Sequence, residues 1–143
     1  MITGVAPDWC RRFLKIPYLD RGRTRDGVDC YGLVMLVNRE QFGRLVPDYV
    51  YASSKDQGAV SKTIEEFLPC DWRKVEVPEP GDLVMLKILG RPWHCGVFVA
   101  PGLMLHSIGD AVSGIERLDT VRCQRRVVGF YRPFAVAQSR EAA

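Results

Sequence analysis

Residues 29–43 read Asp29-Cys30-Tyr31-Gly32-Leu33-Val34-Met35-Leu36-Val37-Asn38-Arg39-Glu40-Gln41-Phe42-Gly43. Cys30, Leu33, Val34 and Val37 recur at i, i+3, i+4 and i+7, which places them on one stripe of a helix. The spacing predicts a helix from Asp29 to about Phe42, ended by Gly43. The C-terminal half is patterned differently. Runs rich in Val, Leu, Ile and Phe occupy 82–89, 94–100, 103–107, 112–118 and 126–132, with Gly, Pro and Asp at the turns between them. Helices first and strands afterwards predict an α+β fold, in which the Cys30 helix packs on one face of a small antiparallel sheet or partial barrel.

Upstream, residues 8–16 show helical spacing of Trp9, Phe13 and Ile16, with Asp8 as the expected cap. Residues 17–28 read as a loop punctuated by Pro17, Gly22 and Gly27 and charged by Arg21, Arg23 and Arg25. Between the helix and the strands, 44–57 has no period and suggests an ordered extended loop. Residues 58–68 suggest a second helix with Val60, Ile64, Phe67 and Leu68 inward, closed by Pro69. Residues 74–77 alternate briefly before a turn at Pro78, Pro80 and Gly81.

The 143 residues fit a single domain, 1–143, with a core at about 8–134 and a flexible tail at 135–143. An apolar fraction of 47% with a net charge of only +3 is unlike a disordered chain. No apolar run reaches the roughly 18 residues needed to span a bilayer, so no membrane insertion is expected. The N-terminus lacks the order of segments that marks a signal peptide, so the expectation is a chain made in the cytosol and not exported by the general secretory route. Cys10, Cys30, Cys70, Cys95 and Cys123 are odd in number and contain no CxxC pair, which argues for reduced thiols.

Two histidines occur, His94 and His106, on either side of the Ala100-Pro101-Gly102 turn. Their index sum is even, so an odd-length hairpin loop puts both on one face of the sheet, whereas a two-residue loop puts them on opposite faces. The odd loop is expected. Cys30 lies where a helix N-terminus favours a thiolate, and a thiolate beside a histidine is a nucleophile with its base. The same residues are also compatible with a buried core thiol and two ordinary strand histidines. A zinc site from Cys30, His94, Cys95 and His106 is disfavoured because adjacent strand residues face opposite ways, so neither metal nor cofactor is expected. Arginine-rich stretches at 11–25 and 117–132 read as solvated or protein-contact surface, and no nucleic acid is expected as partner.

The neighbouring residues separate these readings. Gly27-Val28-Asp29-Cys30-Tyr31-Gly32 resembles the nucleophile motif of the NlpC-type cysteine peptidases, a papain-like family. Pro80-Gly81-Asp82 resembles their PGD strand, His94-Cys95-Gly96-Val97 the strand of the catalytic histidine, and Leu105-His106-Ser107 the strand of the third polar group. Ile16-Pro17-Tyr18 resembles the PY segment. The resemblance covers about residues 8–134. Tyr31 stands where serine is common, Cys95 follows the histidine, and Arg21-Gly22-Arg23 replaces a Gly-Gly, changes that narrow or recharge the cleft. Phe42-Gly43, Leu45-Val46-Pro47-Asp48-Tyr49, Ile115-Glu116-Arg117-Leu118 and Gly129-Phe130-Tyr131-Arg132-Pro133 further resemble NlpC-type proteins of phage tail-tip and gene-transfer-particle modules, similar to lambda-like tail assembly proteins.

This resemblance implies a papain-like NlpC-type fold, with N-terminal helices carrying the nucleophile and packed on a C-terminal antiparallel sheet. It implies a cysteine endopeptidase that cuts an amide in peptidoglycan stem peptides, typically between D-glutamate and a diamino acid. Cys30 would be the nucleophile, His94 the general base, His106 the residue orienting His94, and Tyr18 an oxyanion donor. Asp29, Tyr31 and Trp93 would contact substrate. Tail-hub and tail-tip proteins are the implied partners. The implied location is a virion tail tip, assembled in the host cytoplasm and acting at the periplasm or wall. A structural tail-tip subunit with a vestigial or blocked site is the alternative.

Overall fold

A computed structural model describes residues 4–88, 90–109 and 111–134, so the expected tail at 135–143 lies outside the described residues. A short 3₁₀ turn, Asp8–Phe13, leads into a two-stranded hairpin of β1 (Arg23–Thr24) and β2 (Gly27–Val28). Two helices follow, α1 (Cys30–Phe42) and α2 (Gln57–Asp71). The remainder is β3 (Trp72–Val75), β4 (Leu83–Ile88), β5 (Arg91–Ala100), β6 (Leu103–His106), β7 (Gly114–Arg117), the one-turn α3 (Val121–Gln124) and β8 (Val127–Pro133). The six strands from β3 onward form one antiparallel sheet in the order β3-β8-β4-β5-β6-β7. The α+β prediction therefore holds, with an open sheet.

Helix α1 has both of its ends specified locally. The Asp29 carboxylate accepts from the Gly32 amide at 2.8 Å, and Gly43 takes a left-handed φ of 61° at the other end. Its apolar stripe meets one face of the sheet: Leu33, Val34 and Val37 pack in the same cluster as Leu83, Met85, Cys95, Val97 and Leu105. The opposite face carries a smaller cluster of Val84, Leu86, Phe98, Met104 and Leu118, so β4 and β5 are buried on both sides. Asn38 ties the helix to the strands through its amide, which donates to the Gly81 carbonyl at 3.1 Å. Gly81 itself has a φ of 99°, which explains a glycine in the Pro80-Gly81-Asp82 turn.

Several sequence expectations change. The 8–16 segment is a 3₁₀ turn ending at Phe13, and no side chain caps it; Pro7 occupies the capping position. Pro69 does not close α2 but sits in its last turn, forgoing the bond that an N–H there would make to the Glu65 carbonyl, and the helix runs on to Asp71. Phe67 is 42% exposed rather than inward, although its ring stacks on Tyr49. Residues 72–75 pair with β8 as a strand, a run too short and too charged to read as one.

The histidine hairpin is the instructive case. Ala100 pairs with Leu103 across a two-residue turn, Pro101-Gly102, and not across an odd loop. A register shift between Phe98 and Ala100 restores an even index sum, with Val97 opposite Leu105 and Phe98 opposite Met104. The bulge does what the odd loop was expected to do, and His94 and His106 share a face.

Candidate active site

Cys30 is the first residue of α1 and is only partly exposed. The backbone around it is packed too closely for side chains. A Cβ added at Gly32 would lie 1.9 Å from the Gly22 carbonyl oxygen, and one at Gly22 would lie 2.3 Å from that of Gly27. The glycine two residues after the nucleophile therefore lets the 17–28 arm lie directly on the first turn of the helix. Asp29 is fully buried and holds this contact. Besides Gly32, it accepts from the Arg21 amide at 3.1 Å, from Arg23 Nη1 at 2.8 Å and from the Tyr51 hydroxyl. Its oxygens are thus occupied inside the protein, so the expected contact of Asp29 with substrate gives way to a role in fixing the arm and the helix start.

The sulfur sits in an environment that favours the anion. The Cys95 thiol hydrogen-bonds to it and holds the Cys30 pKa well below the ordinary thiol value. Burial opposes the lowering, and the hydrogen bond and charge of His94 add to it. Cys95 is pushed the other way, first by its bond to Cys30 and then by burial, so it is the neutral donor of the pair.

Behind Cys30 runs a chain of three more groups. His94 Nε2 and His106 Nδ1 are 2.9 Å apart, and His106 Nε2 lies 2.7 Å from Glu116 Oε2. Burial and the neighbouring His94 lower the His106 pKa, against a smaller opposing effect of Glu116. His106 is therefore neutral at pH 7, with one proton to place. A carboxylate only accepts, so that proton is on Nε2 facing Glu116. Nδ1 is then an acceptor, His94 must donate from Nε2, and His94 Nδ1 is left to exchange a proton with the sulfur. Glu116, on β7, was quoted in the sequence only as part of an Ile-Glu-Arg-Leu run; the signal that would have found it is its register, diagonal to His106 across the β6–β7 pair.

Tyr18 lies near Cys30, whose charge contributes, after burial, to raising its pKa. Its hydroxyl is bonded to Ser54 Oγ, and Ser54 Oγ donates to Asp20 Oδ1 at 2.7 Å. Asp20 also accepts from the Ser54 amide at 2.6 Å. Burial pushes the Asp20 pKa up, but these Ser54 bonds outweigh it and keep the group a carboxylate. The Ser54 proton is thus committed to Asp20, and the Tyr18 proton points to Ser54. Neither Ser54 nor Asp20 was singled out in the sequence, because the 44–57 segment has no period from which a facing residue can be read.

Tyr31 and Trp93 line the cleft beside Cys30, together with the Tyr49 and Tyr51 rings and the inner face of α2. Tyr31 donates to the Pro47 carbonyl at 2.5 Å, and Trp93 Nε1 donates to the Ser54 carbonyl at 3.2 Å. The structure thus places Tyr31 and Trp93 on the cleft with Cys30, His94 bonded to Cys30 with His106 behind it in an adjoining pocket, and Tyr18 near Cys30 on a neighbouring groove, with Asp29 buried at the start of α1.

Comparison with known proteins bears on the family and the fold. The pattern of the NlpC/P60 family matches residues 15–132. Among solved structures, one similar chain is an NLP/P60 family protein similar to lipoprotein from Staphylococcus aureus (TM-score 0.61, 17% identity, covering 89% of this chain and 39% of that one). Another is the NlpC/p60 domain of the peptidoglycan hydrolase SagA (TM-score 0.56, 15% identity, 87% and 92% covered). A third is an NlpC/P60 family protein from Bacillus cereus (TM-score 0.58, 23% identity, 86% and 37% covered). The chain thus spans about two fifths of the length of two of these proteins. Among curated proteins, none matches.

Proposed function

The chain belongs to the NlpC/P60 family, and on that premise we propose that it is a cysteine peptidase that hydrolyses an amide bond in peptidoglycan stem peptides. The observation that carries the reading is the directed proton path from Glu116 through His106 and His94 to a thiolate-stabilised Cys30. In this mechanism the Cys30 thiolate attacks the amide carbonyl, and the C–N bond breaks as His94 Nδ1–H protonates the leaving amine. The thioacyl intermediate is then cleaved by water, whose proton His94 accepts. Free N–H groups at the start of α1 and the Tyr18 hydroxyl, once it turns from Ser54, stabilise the oxyanion. The bond between D-glutamate and the diamino acid is the target that the motifs suggest.

The resemblance of residues 115–118 and 129–133 to tail-module proteins supports a place for this domain in a phage tail tip, where hub proteins would position it against the host wall. The test is mass spectrometry of purified peptidoglycan digested with wild-type and Cys30→Ala protein side by side. New stem-peptide termini are expected with wild type and none with the variant. Equal digestion by both overturns the assignment of Cys30. No digestion by wild type favours the structural tail-tip subunit.

A further inference from the structure

His94 and His106 also line a second cavity, of about 170 Å³, that the mechanism does not use. Its floor is hydrocarbon from Leu86, Ile88, Met104 and Ile108, and Arg122 and Arg126 stand over it. Arg122 lies in α3 and Arg126 two residues past its end, where the chain keeps turning: the Arg126 amide donates to the Cys123 carbonyl at 2.9 Å. Like charges four residues apart on one turn repel. Yet neither guanidinium has an ion pair or a side-chain hydrogen bond among the described residues. The one carboxylate among the described lining residues is already engaged. Glu116 Oε2 faces His106 Nε2 at 2.7 Å, and Glu116 Oε1 accepts from Cys123 Sγ at 3.6 Å. The cavity thus holds an excess of positive charge beside an apolar floor. At the roughly 30 Å³ that a water takes in the liquid, 170 Å³ has room for about six non-hydrogen atoms.

We propose that this cavity is a binding site for a carboxylate carried on a short aliphatic stem. The stem lies on the Leu86, Ile88, Met104 and Ile108 hydrocarbon and loses water-exposed surface. The carboxylate meets two planar guanidinium forks, each able to bind it bidentately. An ammonium in the same place would meet two cations, and an uncharged amide would leave both unpaired. Two sources carry the required group: a substrate residue on the amine side of the scissile bond, the side on which His94 delivers its proton, and a free short-chain carboxylate. The site itself is defined by Arg122, Arg126 and the apolar floor, without reference to hydrolysis.

Methyl 13C spectra of wild-type protein labelled at Ile and Met test the site directly. Butyrate, acetate or butyramide is titrated in at constant pH and ionic strength. Butyrate should give saturable shifts of the Ile88, Ile108 and Met104 methyls, while Ile64, on the cleft beside Cys30, stays unmoved. Acetate buries two methylenes fewer and should bind about tenfold more weakly. Butyramide, equal in size but uncharged, should not saturate. The double variant Arg122→Gln, Arg126→Gln breaks no ion pair among the described residues and should weaken butyrate about tenfold. Absent shifts at the three methyls, equal binding of butyrate and butyramide, or unchanged affinity in the double variant overturns the site. Stem peptides with the diamino acid's carboxylates free or amidated then separate the sources. A fall in kcat/KM of about tenfold on amidation, lost in the double variant, makes the substrate the source. Hydrolysis indifferent to amidation makes the source a free carboxylate. Butyrate binding with no hydrolysis of either peptide leaves the site standing and removes the peptidoglycan reading.

Discussion

The chemistry of single residues here depends on which atom holds each proton. His106 has two nitrogens and one proton, and Glu116 decides between them. Glu116→Ala should lower kcat/KM about ten- to a hundredfold, since it frees His106 to take the tautomer that faces His94 with N–H and so occupies His94 Nδ1 with a proton. Glu116→Gln should be no better, because an amide can donate to His106 Nε2 and select that same tautomer, whereas Glu116→Asp should restore part of the rate. Rates for the three variants on one stem-peptide substrate check this order. A second expectation concerns pH. The Cys95 thiol is the first cause of the lowered Cys30 pKa, so removing this donor destabilises the thiolate and moves the pKa up. The pH profile of Cys30 alkylation should inflect well below the ordinary thiol range in wild type and shift to higher pH in Cys95→Ala; an unmoved inflection contradicts it. Cys30, His94, His106 and Tyr18 were legible because each lies in a short run of distinctive neighbours. Glu116 was not, because its meaning comes from a strand pairing that no local pattern encodes.

At the scale of elements, α1 was readable from end to end because its signals are local: an aspartate before the first turn, an apolar stripe, and a glycine after the last. What the pattern did not reveal is that the cap also fastens the arm. Asp29→Ala removes the cap and also leaves Arg23, whose side chain is only 18% exposed, without its buried partner. The loss should exceed the ~1 kcal/mol of a cap alone and reach about 2–3 kcal/mol, a fall in Tm of about 5–10 °C by calorimetry. Gly32→Ala should be at least as harmful, since the added carbon meets the Gly22 carbonyl rather than a movable side chain. The β5–β6 pair shows the opposite limit. Parity of index sums gave the right face for the histidines through the wrong loop, because a bulge and a two-residue turn together have the parity of an odd loop. Strand periodicity records which way residues face, while the bulge is set by pairing with a partner elsewhere in the chain.

For the molecule as a whole, the site is assembled from segments far apart in the sequence, and one seam holds them in register. The arm that carries Tyr18 is stitched to the segment before β7. The Lys15 amide donates to the Ser113 carbonyl and the Ser113 amide to the Ile16 carbonyl, both at 2.9 Å, Pro17 bridges to Val112, and the Tyr18 amide donates to the Ala111 carbonyl at 3.2 Å. Ser113 is the fastening: it is 2% exposed, accepts from the Ile16 amide at 2.9 Å and donates to the Phe13 carbonyl at 2.6 Å. The seam was not legible, since 17–28 read as loop, Lys15 and Ile16 fell at the end of an expected helix, and Val112 and Ser113 fell at the start of an expected strand, with no pattern that pairs one end with the other. Ser113→Ala leaves a buried amide and a buried carbonyl without that hydroxyl, which should cost about 1–3 kcal/mol by urea denaturation. Because the same bonds position Tyr18, the variant should also lose kcat at temperatures where it remains fully folded. Thr120→Ala offers the comparison: it removes the cap of α3, which lies away from this seam, and should lower stability by about 0.5–2 kcal/mol while leaving kcat unchanged. Equal kcat for Ser113→Ala and wild type under folding conditions would separate the seam from the site and assign Ser113 to stability alone.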